Sequence, residues 1–126
     1  MGQARAIRSF ALVIEADHDQ RALISTLLEE TEMQVIECDS AEAALAVLHI
    51  KGGRVAIAFT DVELAGRLDG IEFAQILKSE FPDVPVIVTS RNPRDPENLP
   101  DTAIYMAQPW RPLDVLIVAE RARRAA

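Results

Sequence analysis

Five short apolar runs recur along the chain, and segments with helical spacing separate most of them. The runs are Phe10 to Ile14, Met33 to Cys38, Arg54 to Thr60, Val84 to Thr89 and Ala103 to Ala107. Runs this short, apolar at consecutive positions and rich in β-branched residues, predict strands buried on both faces. Strands that alternate with helices call for a parallel sheet covered on both sides. Right-handed crossovers leave few topologies. The doubly wound α/β fold with strand order 2-1-3-4-5, flavodoxin-like, is the expectation.

The intervening segments carry helix signals. Asp17-His18-Asp19 opens a first helix, with Leu23, Ile24, Leu27 and Leu28 as its apolar stripe. Asp39 with Glu42 three residues on predicts the cap of a second, which Gly52-Gly53 ends. Asp69 caps a third, with Ile71, Ala74, Leu77 and Phe81 inward, and Pro82 stops it. Leu113 to Ala122 is the last helix. Between Ser90 and Asp101 lie Pro93, Pro96 and Pro100 and no helical stripe, so a fourth helix there is short or absent.

With 126 residues and 49% apolar content, the chain suits a single ordered domain, with its core at about residues 10–122. Thirteen basic residues stand against 20 acidic ones, a net charge of −7 that disfavours direct binding to nucleic acid. The single cysteine, Cys38, excludes a disulfide framework and suits a small buried strand residue. No apolar stretch is long enough to span a membrane, and the first apolar run breaks at Glu15 before it could serve as a leader. A cytoplasmic setting is expected.

In this strand order, the C-terminal ends of strands one, three, four and five surround one crevice, where open α/β sheets place their reactive groups. Glu15, Asp61, Thr89 and Gln108 fall at those four ends. Here the chain resembles the receiver domain of bacterial two-component response regulators, the CheY-like family. The resemblance runs from about Phe10 to Arg121. It is carried by Leu12-Val13-Ile14-Glu15, by Thr60-Asp61 through Asp69-Gly70, by Val86-Ile87-Val88-Thr89-Ser90 and by Gln108-Pro109-Trp110-Arg111-Pro112.

The resemblance implies a chemistry. Asp61 matches the aspartate that accepts a phosphoryl group from a sensor histidine kinase or phosphotransfer protein. Glu15, Asp61 and the backbone carbonyl of Glu63 would ligate Mg²⁺, which offsets repulsion between an anionic nucleophile and an anionic phosphorus centre. Thr89 would bind phosphoryl oxygens. Thr89 and Tyr105 match a switch pair, and the Gln108-Pro109 bond matches one that is cis in the family.

Two positions depart from the pattern. The family carries two adjacent acids after strand one, whereas this chain has Glu15 and Ala16. Mg²⁺ binding should be weaker for it, unless Asp17 reaches the ion from a bent loop. The family's lysine before proline is Gln108, a neutral donor in place of a charged one. Arg91 and Arg111 are either solvated loop residues or replacements for that charge. His18 and His49 have no ligand-spaced companions and read as surface residues.

No effector segment follows the last helix, so a stand-alone receiver that signals to a downstream protein target is expected. No long insertion builds a substrate pocket, so a signalling domain rather than an enzyme is expected. The last helix holds more apolar residues than one face needs. Trp110, Val115 and Val118 therefore mark a contact surface, such as a homodimer face, or else a terminal helix well covered by its neighbours. The alternative function is a pseudo-receiver, which keeps the fold and surfaces but acts without phosphorylation.

Overall fold

Consecutive residues of a strand point to opposite faces, and β1 (Phe10–Ile14) shows what that does here. Phe10, Leu12 and Ile14 enter one apolar cluster, and Ala11 and Val13 enter another. The computed structural model describes residues 9–92 and 96–125. After β1 come α1 (His18–Glu29), β2 (Gln34–Cys38), α2 (Ala41–Lys51), a 3-10 turn (Gly52–Arg54) and β3 (Val55–Asp61). Then follow α3 (Gly70–Glu80), β4 (Val86–Ser90), β5 (Ala103–Ala107) and α4 (Pro112–Arg124). All paired strands are parallel, in the order β2-β1-β3-β4-β5. The expected α/β architecture is the observed one.

Helices α2 and α3 cover one face through Ala41, Ala44, Leu48, Phe73, Ala74 and Leu77. Helices α1 and α4 cover the other through Ile24, Leu28, Val115, Ala119 and Ala122. A register shift beside Phe10 interrupts the β1–β3 ladder. It resets the alternation of β3, so that Val55 and Ala58 join the first cluster while Ile57 and Phe59 join the second. All seven residues of β3 are buried. The strand that ends in Asp61 is thus held on both faces and both edges. The edge strands β2 and β5 are only partly buried.

Several sequence expectations need correction. The second helix is capped by Ser40, whose hydroxyl accepts from the Ala43 amide at 3.2 Å, and not by Asp39. Leu23 is 59% exposed, so the buried stripe of α1 is Ile24 and Leu28 with Leu27 at its margin. Val115 is fully buried beneath α4, which removes it from any contact surface. Asp69 caps α3 as expected. Its carboxylate accepts from the Glu72 amide at 2.8 Å while Glu72 accepts from the Asp69 amide at 3.1 Å.

Pro93 lies outside the described residues. Among those described between β4 and β5 there is no helix. Residues 98–101 of the connection instead lie against α3. Gln75 donates to the Asn98 carbonyl at 2.9 Å, Lys78 pairs with Asp101 at 2.9 Å, and Leu99 packs on the first cluster. Among the described residues no helix is long and apolar enough to cross a membrane.

Candidate functional site

The strand ends converge as their sequence positions require. Asp61, the last residue of β3, stands in register with Thr89 of β4. Glu15 follows β1 directly, and its amide donates to the Cys38 carbonyl at 3.0 Å. The Gln108 amide donates to the Ser90 carbonyl at 3.1 Å, which sets the end of β5 beside the end of β4. A depression of about 390 Å³ opens beside the ends of β1 and β3, lined by Glu15, Ala16, Asp17, Asp61, Glu63 and Arg91, while Thr89 and Gln108 lie outside its lining.

Asp61 is 5% exposed and so is Glu15. The Glu63 amide donates weakly to Asp61 Oδ1 at 3.4 Å. Burial pushes the Asp61 carboxyl up from 3.8 to about 8, and hydrogen bonding to Glu63 and Glu15 and the charges of both add to the rise. Four acids, Glu15, Asp17, Asp61 and Glu63, thus share one depression with Arg91. Arg91 is exposed at the rim. Arg111 stands apart, 3.4 Å from Asp114 at the start of α4 and well exposed.

The hydroxyl of Thr89 is the complementary feature. Thr89 is 1% exposed, and among the described residues its Oγ1 has no hydrogen-bond partner. An unsatisfied buried hydroxyl costs about 1–3 kcal/mol, so this donor is available to an incoming oxygen. It lies one strand over from Asp61, at the same level.

The donor set suits a hard, oxygen-seeking cation in kind. Among the described residues no group of three or more His, Cys, Asp or Glu forms a preassembled metal cage. Mg²⁺ does not require one, because it usually takes one or two carboxylates and keeps its waters. Asp61 and Glu15 could supply those two. Asp17 spends one oxygen as the cap of α1, accepting from the Gln20 amide at 2.9 Å. It borders the depression without facing Asp61 from a strand end.

Other supports carried no strong sequence signal. Arg21 donates to the Glu15 carbonyl at 2.8 Å and lies 3.4 Å from Glu37, so α1 and β2 together hold the loop that carries Glu15. Ser90 donates to Glu63 Oε1 at 3.0 Å and accepts from the Asn92 amide at 3.0 Å. Gly70 lets α3 start against the end of β3, since a Cβ there would overlap the Asp61 carbonyl oxygen. Its amide donates to the Val62 carbonyl at 2.9 Å.

Tyr105 is half-buried in β5, in register with Val88. Gln108 is half-buried, and the Gln108-Pro109 bond is cis. Trp110 is half-buried and stands edge-on to Phe59 at 5.6 Å, so it belongs to the margin of the core. Val118 is half-buried and borders a shallow groove with Pro85, Ile104 and Arg121. The exposed apolar surface of α4 is carried by Leu113 and Ile117.

Comparison with known proteins agrees with this geometry. The model of the response regulator receiver domain matches residues 11–102. The nitrogen assimilation regulatory protein NtrX of Azorhizobium caulinodans is 35% identical over 80 residues, covering 63% of this chain and 17% of that protein. The heme response regulator HssR of Staphylococcus haemolyticus is 32% identical over 77 residues, covering 61% of this chain and 33% of that protein. The chain therefore spans a third or less of the length of these relatives. A response regulator receiver domain protein from Clostridium thermocellum superposes with a TM-score of 0.81 at 21% identity, over 93% of this chain and 95% of that one. The receiver domain of NtrX from Brucella abortus gives a TM-score of 0.73 at 25% identity, over 92% and 99%. Sheet order, strand-end acids and the family match together place this chain in the response regulator receiver domain family.

Proposed function

We propose that the chain accepts a phosphoryl group on Asp61 and passes the signal on through protein contacts. A sensor histidine kinase or phosphotransfer protein is the donor on this reading, and the setting is the cytoplasm. The observation that carries it is the buried Asp61 carboxyl, which lines an open depression and stands in register with Thr89, whose buried hydroxyl has no partner among the described residues.

In the transfer, an Asp61 carboxylate oxygen attacks phosphorus. The new O–P bond forms as the N–P bond of the donor phosphohistidine breaks, and the imidazole nitrogen leaves with the electron pair and takes up a proton. Asp61 must first give up its own proton to solvent, because a neutral carboxyl is a poor nucleophile. Bound Mg²⁺ would supply positive charge that favours the carboxylate and offsets repulsion from the incoming phosphoryl oxygens. Glu15 and Asp61 would hold it, with the Glu63 carbonyl as a further oxygen. Thr89 Oγ1 would donate to a phosphoryl oxygen. Gln108 would donate without charge, so the phosphorylated state is held more weakly than a lysine would hold it.

The pseudo-receiver is the second reading. Ala16 offers no ligand atom, and a carboxyl raised to about 8 is mostly protonated at neutral pH. Intact-mass measurement after incubation with acetyl phosphate and Mg²⁺ separates the two. The gain of one phosphoryl group, absent in Asp61→Asn, supports the acceptor. An unchanged mass at every Mg²⁺ concentration favours the pseudo-receiver.

A further inference from the structure

The loop from Val62 to Asp69 carries Glu63, and it is fastened at both ends and in the middle. At its start the Val62 amide donates to the Thr89 carbonyl at 2.9 Å. At its end the Gly70 amide donates to the Val62 carbonyl at 2.9 Å. The middle is held from a different element. Glu42, the second residue of α2, accepts from the Leu68 amide at 3.0 Å through Oε1. Two residues before Glu42, Ser40 forms an isolated parallel bridge with Ala65.

Gly66 gives an independent sign that this contact is built in. Its φ is +95°, and a Cβ there would overlap the Glu42 carboxylate. The positive φ favours glycine, and the missing Cβ leaves room for the Glu42 carboxylate against the loop. An acid in the first turn of a helix also favours the helix dipole. The dipole needs charge near the helix start, whereas the loop needs an acceptor oxygen at one point. The amide variant tells these apart.

We propose that Glu42 is a positioning residue of the acceptor site. From α2 it fixes the loop that presents Glu63 to Asp61, without touching the transferred group. The proposal rests on Asp61 being the acceptor. Loosening the loop should first weaken the use of Mg²⁺, because the Glu63 carbonyl lies on it, and should leave the transfer step itself nearly unchanged.

The test compares wild type, Glu42→Ala, Glu42→Gln and Gly66→Ala by two readouts. One is amide hydrogen exchange across residues 62–68. The other is the Mg²⁺ concentration that gives half-maximal phosphorylation from acetyl phosphate. Loss of one charge-assisted hydrogen bond should speed exchange in Glu42→Ala by about tenfold in that segment alone, and raise the half-maximal Mg²⁺ by a similar factor with the saturating rate within about twofold. Glu42→Gln, which keeps an acceptor oxygen, should stay within about threefold of wild type on both. Gly66→Ala should resemble Glu42→Ala, and the double variant should add little, as for two residues of one contact. Loop exchange in Glu42→Ala equal to wild type would overturn the proposal, and so would Glu42→Gln as impaired as Glu42→Ala. If wild type takes no phosphoryl group, the acceptor reading fails, and the exchange readout alone still decides whether Glu42 holds the loop.

Discussion

The Ser90 hydroxyl donates to the Glu63 carboxylate at 3.0 Å, which ties the loop after β3 to the end of β4 directly beside Asp61. Ser90 is itself buried at 3% exposure and fixed by the Asn92 amide. The carboxylate of Glu63 is therefore held near Asp61 instead of swinging into solvent, and it adds to the burial that raises the Asp61 carboxyl. Removing that negative charge should release the proton more readily. In Glu63→Gln, without metal, the Asp61 carboxyl should titrate lower than in wild type by about one pKa unit. Carbon-13 chemical shifts of the Asp61 carboxyl across a pH series measure it. An unchanged midpoint would mean that burial and Glu15 set the value without Glu63.

Stability should fall with rising pH in the absence of metal. The folded carboxyl of Asp61 is raised from 3.8 to about 8, so between those values the folded state holds a proton that the unfolded state has lost. The unfolding free energy therefore decreases as pH rises through that window. A loss of about 1–3 kcal/mol between pH 5 and pH 8 is expected from this group, and Asp61→Asn should flatten the dependence and be more stable at pH 8. Urea denaturation at both pH values, with chelator present, gives the comparison. Equal slopes in wild type and Asp61→Asn would show that Asp61 is ionised in the metal-free fold.

Gly70→Ala should destabilise the fold, although alanine favours helices. The added Cβ overlaps the Asp61 carbonyl oxygen, and the backbone of a strand packed on both faces cannot yield cheaply. A cost of about 1–3 kcal/mol is expected, read from the denaturation midpoint. A neutral result would mean that the start of α3 shifts away from β3.

Burial separates the apolar residues of α4 into two groups. Val115 is fully buried while Leu113 is 65% exposed. Val115→Ala should cost about 1–3 kcal/mol, whereas Leu113→Ala should stay within about 0.5 kcal/mol. Equal effects at the two positions would contradict the orientation of α4.

The sheet was legible in the sequence because its strands are apolar at nearly every position, and only a doubly covered parallel sheet buries such runs. Strand ends followed from it, and with them the places of Glu15, Asp61, Thr89 and Gln108. The supports were harder to see. Glu42 reads as a helix-start acid, and its true partner, the Leu68 amide, lies 26 positions away. Arg21 reads as a polar residue on the face of α1, yet it holds the Glu15 carbonyl. Contacts that join side chains to distant backbone leave no period in a sequence. Val115 went astray for a related reason. A helix whose apolar residues cover more than one face does not say which of them faces the sheet.

The most direct measurement is the location of the phosphoryl group. After acetyl phosphate and Mg²⁺, borohydride reduction converts an aspartyl phosphate to homoserine, which peptide mass spectrometry can place on the chain. Homoserine at position 61, and at no other aspartate, is the expected result. Aspartate intact at position 61, or homoserine at Asp17 or elsewhere, would contradict the assignment of Asp61 as the phosphoacceptor.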